Sequence, residues 1–249
     1  MQGDRRSTHG APDLLRPAAV APAREAAGEQ ADPEVVAEAR RRKEAALLDF
    51  GVGHSVVASW LYAKCHRHLA TTALPTAAVT ATGDGRCALL YNPYFFASLD
   101  FDGVKFVLFH EARHLMRRHL YVDEELRSDP VFTLAAEVAI NHVALRRLGR
   151  SALPEAVPAG GGEPEPVGVD PDAVDGSYRE DLRRQGLAPL PYDDFVRTDL
   201  TVYGELRRMR SRETPRSAFC VHLAEDAQEG DVPLDPETVA QVGDDVCAR

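Results

Sequence analysis

Residues 106–116 read Phe106-Val-Leu-Phe-His110-Glu111-Ala-Arg-His114-Leu-Met116. The apolar flanks predict a buried helix, on which His110 and His114 leave the same face about one turn apart. That spacing puts two neutral imidazole nitrogens where a single Zn2+ ion can take both. Glu111 is turned by about 100° from His110. In a His-Glu-x-x-His helix that residue is the base that holds and deprotonates the reacting water, not a ligand. Buried His and Glu side chains are costly without partners, and a metal centre would supply them. The competing reading is a surface helix with Arg113, Arg117 and Arg118 as its polar face.

A catalytic zinc site takes three protein ligands and keeps one position open. A third His six residues after the second, reached through a glycine turn, is excluded: that position is Leu120, and Arg117 stands where the glycine would be. His119 would lie on the opposite side of a continuous helix from His110. An acidic residue on a following helix is the other route. Glu137 fits, inside the apolar run Val131-Phe-Thr-Leu-Ala-Ala-Glu137-Val-Ala-Ile-Asn141-His142, where a charge is expensive unless paired or metal-bound. Asn141 falls on the same helical face as Glu137, where its hydrogen bond could orient a ligand. Pairing of Glu137 with a nearby Arg is the alternative, and His142 reads as packing or surface.

The chain has 249 residues, 44% of them hydrophobic, with a formal charge of −10. Such a chain can bury a substantial core as one large or two small domains. The acidic balance argues against nucleic acid as a partner. No apolar run approaches the roughly 20 residues needed to span a bilayer, so no membrane partner is expected. Arg5 and Arg6 are not followed by an apolar segment, so no secretory signal is read. Cys65, Cys87, Cys220 and Cys247 are scattered without a CxxC pair, which fits reduced thiols and a cytoplasmic location.

Along the chain, residues 1–31 are rich in Ala, Pro, Gly and Arg and are expected to be a disordered N-terminal segment. Residues 32–210 are expected to form one domain, with a flexible insertion at about 150–177, and 211–249 an acidic, loosely ordered tail. Asp32-Pro33-Glu34 predicts a helix start, the helix running to about Asp49 before Gly51 and Gly53. A second helix is predicted over Ser55 to about Ala70. Thr76–Ala81 and Arg86–Tyr91, separated by Gly83-Asp84-Gly85, predict a β-hairpin. A short helix or turn over Tyr94–Leu99 and a cap at Asp100 or Asp102 lead into the motif helix, placed at about 103–119. An edge strand beside that helix could take up an extended substrate as an added strand. Later helices are expected over Ser177–Gln185 and from Thr201 to about Met209.

Tyr91-Asn92-Pro93, Leu99, the run Phe106–Leu115 with His110, Glu111 and His114, and Leu134-Ala-Ala-Glu137-Val-Ala-Ile-Asn141 occur in this order. Together they resemble a bacterial zinc metallopeptidase domain of the kind usually found before a von Willebrand factor A domain. The resemblance covers about residues 33–150, and more faintly 189–210. It implies a zincin-like α+β fold, mostly helical with a small sheet beside the motif helix. It further implies zinc held by His110, His114 and the acidic residue at 137, with Glu111 as base. The family more often carries Asp at 137. Asp175-Gly-Ser177-Tyr-Arg179 is not the Asp-x-Ser-x-Ser of a von Willebrand domain, and that domain is not carried over.

Two functions are compatible with these residues. One is a zinc metallopeptidase acting on a peptide or protein substrate. The other is a non-catalytic zincin-like binding or scaffold module, acting alone or in a complex with a protein partner. Glu111 beside both histidines favours the enzyme, because a structural zinc needs no base and is usually closed by four protein ligands. Tyr203 and His222 are the candidates for stabilising an oxyanion, and His222 or Cys220 for a distant fourth ligand.

Overall fold

The computed structural model describes residues 31–82, 86–158 and 161–209. The segments expected as an N-terminal extension (all but its last residue) and as an acidic tail lie outside the described residues. So do the hairpin turn at Gly83-Asp84-Gly85, His222 and Cys220.

The chain is α+β and mostly helical. It begins with α1 (Pro33–Gly53) and α2 (Ser55–Lys64), followed by β1 (Cys65–Ala70), β2 (Ala77–Ala81) and β3 (Cys87–Tyr91). Then come α3 (Pro93–Ser98), the motif helix α4 (Phe101–Arg117), a 3-10 turn at His119–Tyr121, α5 (Glu124–Arg127) and α6 (Pro130–Leu148). A ribbon of β4 (Glu155–Ala156) and β5 (Glu165–Pro166) precedes α7 (Pro171–Arg184), α8 (Tyr192–Phe195) and α9 (Asp199–Arg208). Four helices start on the same device, an Asp or Asn cap followed by Pro: Asp32-Pro33, Asn92-Pro93, Asp129-Pro130 and Asp170-Pro171. Each cap side chain accepts a backbone N–H of the first turn, while Pro has no N–H to leave unsatisfied there.

Among the boundaries that differ from expectation, four stand out. First, α1 runs through Gly51 to Gly53; its last turn is exposed, where a glycine weakens a helix without breaking it. Second, α2 stops at Lys64, and 65–70 is a strand instead of the helix predicted to Ala70. Pairing with β3 decides this, a long-range contact that local propensity does not record. Third, α4 spans 101–117, with Asp100 as its cap and Arg118 as its end. Fourth, α7 begins at Pro171, six residues before the predicted start, and the expected insertion carries the β4–β5 ribbon.

The predicted hairpin is present: β2 and β3 pair antiparallel, with Val79 opposite Leu89. β1 runs parallel to β3 on its other side, so the order is β1-β3-β2 and β2 is an edge strand. The bonds Thr82 N to Arg86 O and Asn92 N to Thr76 O mark the even positions as the ones facing β3. Odd positions of β2 therefore direct their N–H and C=O groups outward.

The buried side chains form two clusters. One packs α1, α2, the sheet, α3 and α4, with Phe50, Phe96, Phe106 and Leu108 fully buried. The other gathers α7, α8 and α9 around Tyr178 and Phe195. α6 contributes to both: Ala144 to the first, Leu134, Ala135, Val138 and Ala139 to the second. It is buried continuously from Leu134 to Asn141, and a helix apolar on every side belongs inside a protein. That position lays α6 against α4. Among the described residues, no helix is long and apolar enough to cross a membrane.

Candidate metal centre

α4 is set by its ends. Asp100 Oδ1 accepts the Gly103 N–H at 2.6 Å. A Cβ on Gly103 would meet that oxygen at 2.9 Å and the Leu99 side chain at 3.1 Å, so this tight entry requires glycine. At the other end Arg118 takes a left-handed conformation, φ +60°, and its N–H closes onto the carbonyls of His114 and Leu115. Between these ends, His110, Glu111 and His114 are all buried.

The helix brings His110 and His114 together with their Nε2 atoms 2.9 Å apart. α6 brings Glu137 to the same point, its Oε1 3.6 Å from His110 Nε2 and 3.5 Å from His114 Nε2. These three side chains are the group of potential metal donors found among the described residues. A tetrahedral zinc with bonds of about 2.0–2.2 Å places its donors roughly 3.3 Å apart, and the three distances bracket that value. Donor chemistry agrees with geometry. Glu137 is fully buried, and neither carboxylate oxygen has a hydrogen-bond partner. An ionised carboxylate in that condition is strongly disfavoured unless a cation compensates it. The residues therefore fit a divalent metal ion.

The titration behaviour shows the same demand. Burial disfavours the charged form of His110, but the Glu137 carboxylate outweighs it, and the His110 pKa rises to about 9. Burial pushes Glu137 upward, while the His110 and His114 imidazoles prevail and hold it well below the ordinary carboxylate range. Without metal, a proton on His110 serves as the local cation; a metal ion would displace it.

Around the donors is a layer of orienting groups. Asn141 Oδ1 lies 2.7 Å from His110 Nδ1, and Asn141 Nδ2 donates to Val169 O at 2.9 Å. His114 Nδ1 lies 2.9 Å from His119 Nδ1, and His119 Nε2 lies 2.7 Å from Asp199 Oδ2. The hydrogen bond from His119 lowers the Asp199 pKa despite partial burial. Glu111 Oε2 accepts the Val79 N–H of β2 at 3.0 Å, which ties the carboxylate to the sheet edge. Tyr203 is elsewhere, its hydroxyl donating to Asp129 Oδ2 at 2.8 Å. His142 is only partly buried and faces Tyr192.

The structure thus brings His110, His114 and Glu137 together, sets Asn141 behind His110, and sets Glu111 beside β2. Sequence reasoning missed His119 and Asp199. A straight helix would put His119 on the far side; the left-handed residue Arg118 turns it back onto His114. Asp199 carries no sequence signal beyond an acidic residue in the first turn of a helix, which the helix dipole alone explains.

Residues 38–160 match the family model described as "Putative metallopeptidase domain". No curated protein and no solved structure matches the chain significantly. The matched segment contains α4, β2 and α6, and so holds every proposed donor and Glu111. Asp199 and Val169 lie outside it.

Proposed function

We propose that the chain is a zinc-dependent metallopeptidase that hydrolyses peptide bonds. The observation that carries this reading is Glu137: a fully buried carboxylate without hydrogen bonds, converging with two imidazoles on one point. His110, His114 and Glu137 would hold the zinc, and Asn141 would orient His110. A bound zinc supplies Lewis acidity, activating water near neutral pH and polarising a carbonyl. Glu111 accepts a proton from the attacking water and passes it to the departing amine, so that water and peptide give a carboxylic acid and an amine. The Val79 N–H fixes the rotamer of Glu111 for that transfer.

The substrate class follows from the sheet. β2 is the edge strand, α4 packs against it, and the outward Val79 N–H faces the base. An extended peptide laid along such an edge gains main-chain hydrogen bonds and arrives beside Glu111. A peptide or protein is the proposed substrate; nucleic acid and membrane have no part in this reading, and a cytoplasmic location accords with it.

The test measures zinc by mass spectrometry in wild type, Glu137→Ala and Glu111→Gln, with cleavage of a mixed peptide library. The expected result is about one zinc per chain in wild type and Glu111→Gln and little in Glu137→Ala. Cleavage should fall by about 100- to 10,000-fold in Glu111→Gln. Zinc without cleavage in wild type would identify a non-catalytic module instead. No zinc after reconstitution would overturn the metallopeptidase reading and leave the non-catalytic module.

A further inference from the structure

His110 and His114 both turn Nε2 toward Glu137, but their Nδ1 atoms are anchored differently. The Val169 carbonyl can only accept, so the Asn141 amide is oriented with Nδ2 toward Val169 and Oδ1 toward His110. His110 Nδ1 must then be the donor.

On the other side, the logic runs through two rings. A carboxylate only accepts, so the bond between His119 Nε2 and Asp199 Oδ2 at 2.7 Å places the proton on His119 Nε2. The His119 tautomer with its proton on Nε2 leaves Nδ1 as an acceptor, and that atom lies 2.9 Å from His114 Nδ1. His114 therefore donates from Nδ1 and carries its lone pair on Nε2, the atom directed at His110 and Glu137. Asp199 is itself anchored, accepting the Leu200 N–H at Oδ1 at 3.0 Å and lying 3.8 Å from an Arg117 nitrogen. His119 is almost fully buried, with its ring packed edge-on against Phe132, so it cannot exchange these partners for water.

From this geometry we infer that His119 and Asp199 are positioning residues for the metal centre, fixing the tautomer and orientation of His114 through an Asp–His–His relay. The inference rests on the metal-centre reading above. Its consequence is architectural. Asp199 sits on α9, 80 residues from His119 and beyond the segment that matches the family. The α7–α9 cluster thus completes the centre, and the matched segment alone lacks both the Asp199 anchor and the Val169 carbonyl that holds Asn141.

Zinc affinity of the full chain by chelator competition tests the relay, using wild type, His119→Phe, His119→Gln and Asp199→Asn. Histidine tautomers in zinc-loaded wild type are read by long-range 1H–15N NMR. Loss of an orienting partner typically weakens metal binding about 10- to 100-fold, and that loss is expected for His119→Phe. Asp199→Asn should weaken binding in the same direction. His119→Gln should recover much of the affinity, because its amide oxygen accepts from His114 and its amide nitrogen donates to Asp199. The NMR spectrum should show the His114 proton on Nδ1. Unchanged affinity in folded His119→Phe, or a His114 proton on Nε2, overturns the relay while leaving the metal centre standing. If His119→Phe fails to fold, the wild-type tautomer and the Gln and Asn variants decide. Wild type that takes no zinc removes the metal centre, and the relay with it.

Discussion

Glu137→Gln removes one charge at almost constant volume and so isolates the carboxylate's part in metal binding. A ligand that binds only the folded state stabilises it by RT ln(1 + [L]/Kd), about 4.1 kcal/mol at free zinc about 1,000-fold above Kd. In a chain of this size about 1 kcal/mol moves the melting midpoint by roughly 2–4 °C, so this zinc level should raise wild-type Tm by about 8–16 °C. Removing an orienting partner alone can weaken a site about 100-fold, a floor for losing a ligand. At the same zinc concentration Glu137→Gln then retains at most about 1.4 kcal/mol of zinc-linked stability, or roughly 3–6 °C. The assay is differential scanning calorimetry of chelator-stripped protein with and without buffered zinc. The quantity read is the zinc-induced increment, so any change in metal-free Tm caused by the substitution cancels. Equal increments in wild type and Glu137→Gln would refute the assignment of Glu137 as a ligand.

Two further predictions concern the scaffold. Asp100→Ala removes the cap that accepts the Gly103 N–H and should cost about 1 kcal/mol, measured by urea denaturation, with metal stoichiometry unchanged; a cost near zero would show that α4 is fixed by packing alone. His68 is held down to a pKa of about 4, first by burial and then by Lys43, whose Nζ lies 3.1 Å from its Nδ1. Between about pH 6.5 and 4 the unfolded chain therefore binds a proton that the folded chain refuses, and stability should fall as pH falls through that window. His68→Gln should flatten this part of the stability–pH curve, and an unaltered slope would place the acid sensitivity elsewhere.

The parts of the candidate site legible in the sequence all depend on spacing within one helix. His110 and His114, or Glu137 and Asn141, are four apart, and any helix turns such pairs to a common side. The same holds for the hairpin, where alternation and a glycine-rich turn suffice. What escaped depends on closure between distant segments. β1 is a strand because β3 offers it a parallel partner, and nothing within 65–70 announces this. His119 leaves the straight-helix position through a single backbone dihedral at Arg118, a residue type that seldom adopts positive φ. Asp199 required the docking of α9 against α6, decided by the packing around Tyr178 and Phe195.

The bond from Val79 to Glu111 carries a consequence for how this protein can vary over time. Val79 N–H reaches Glu111 only because odd positions of β2 face away from β3. Side chains and amides alternate along a strand, so a shift of one residue would turn that N–H into the sheet and bring a different group to the base. Gain or loss of a single residue within β2 would break the arrangement, whereas a change of two would keep its parity. Loop length can vary freely elsewhere on the surface; here the remainder, on division by two, of the residue count between the turn and Val79 decides whether that N–H reaches the base.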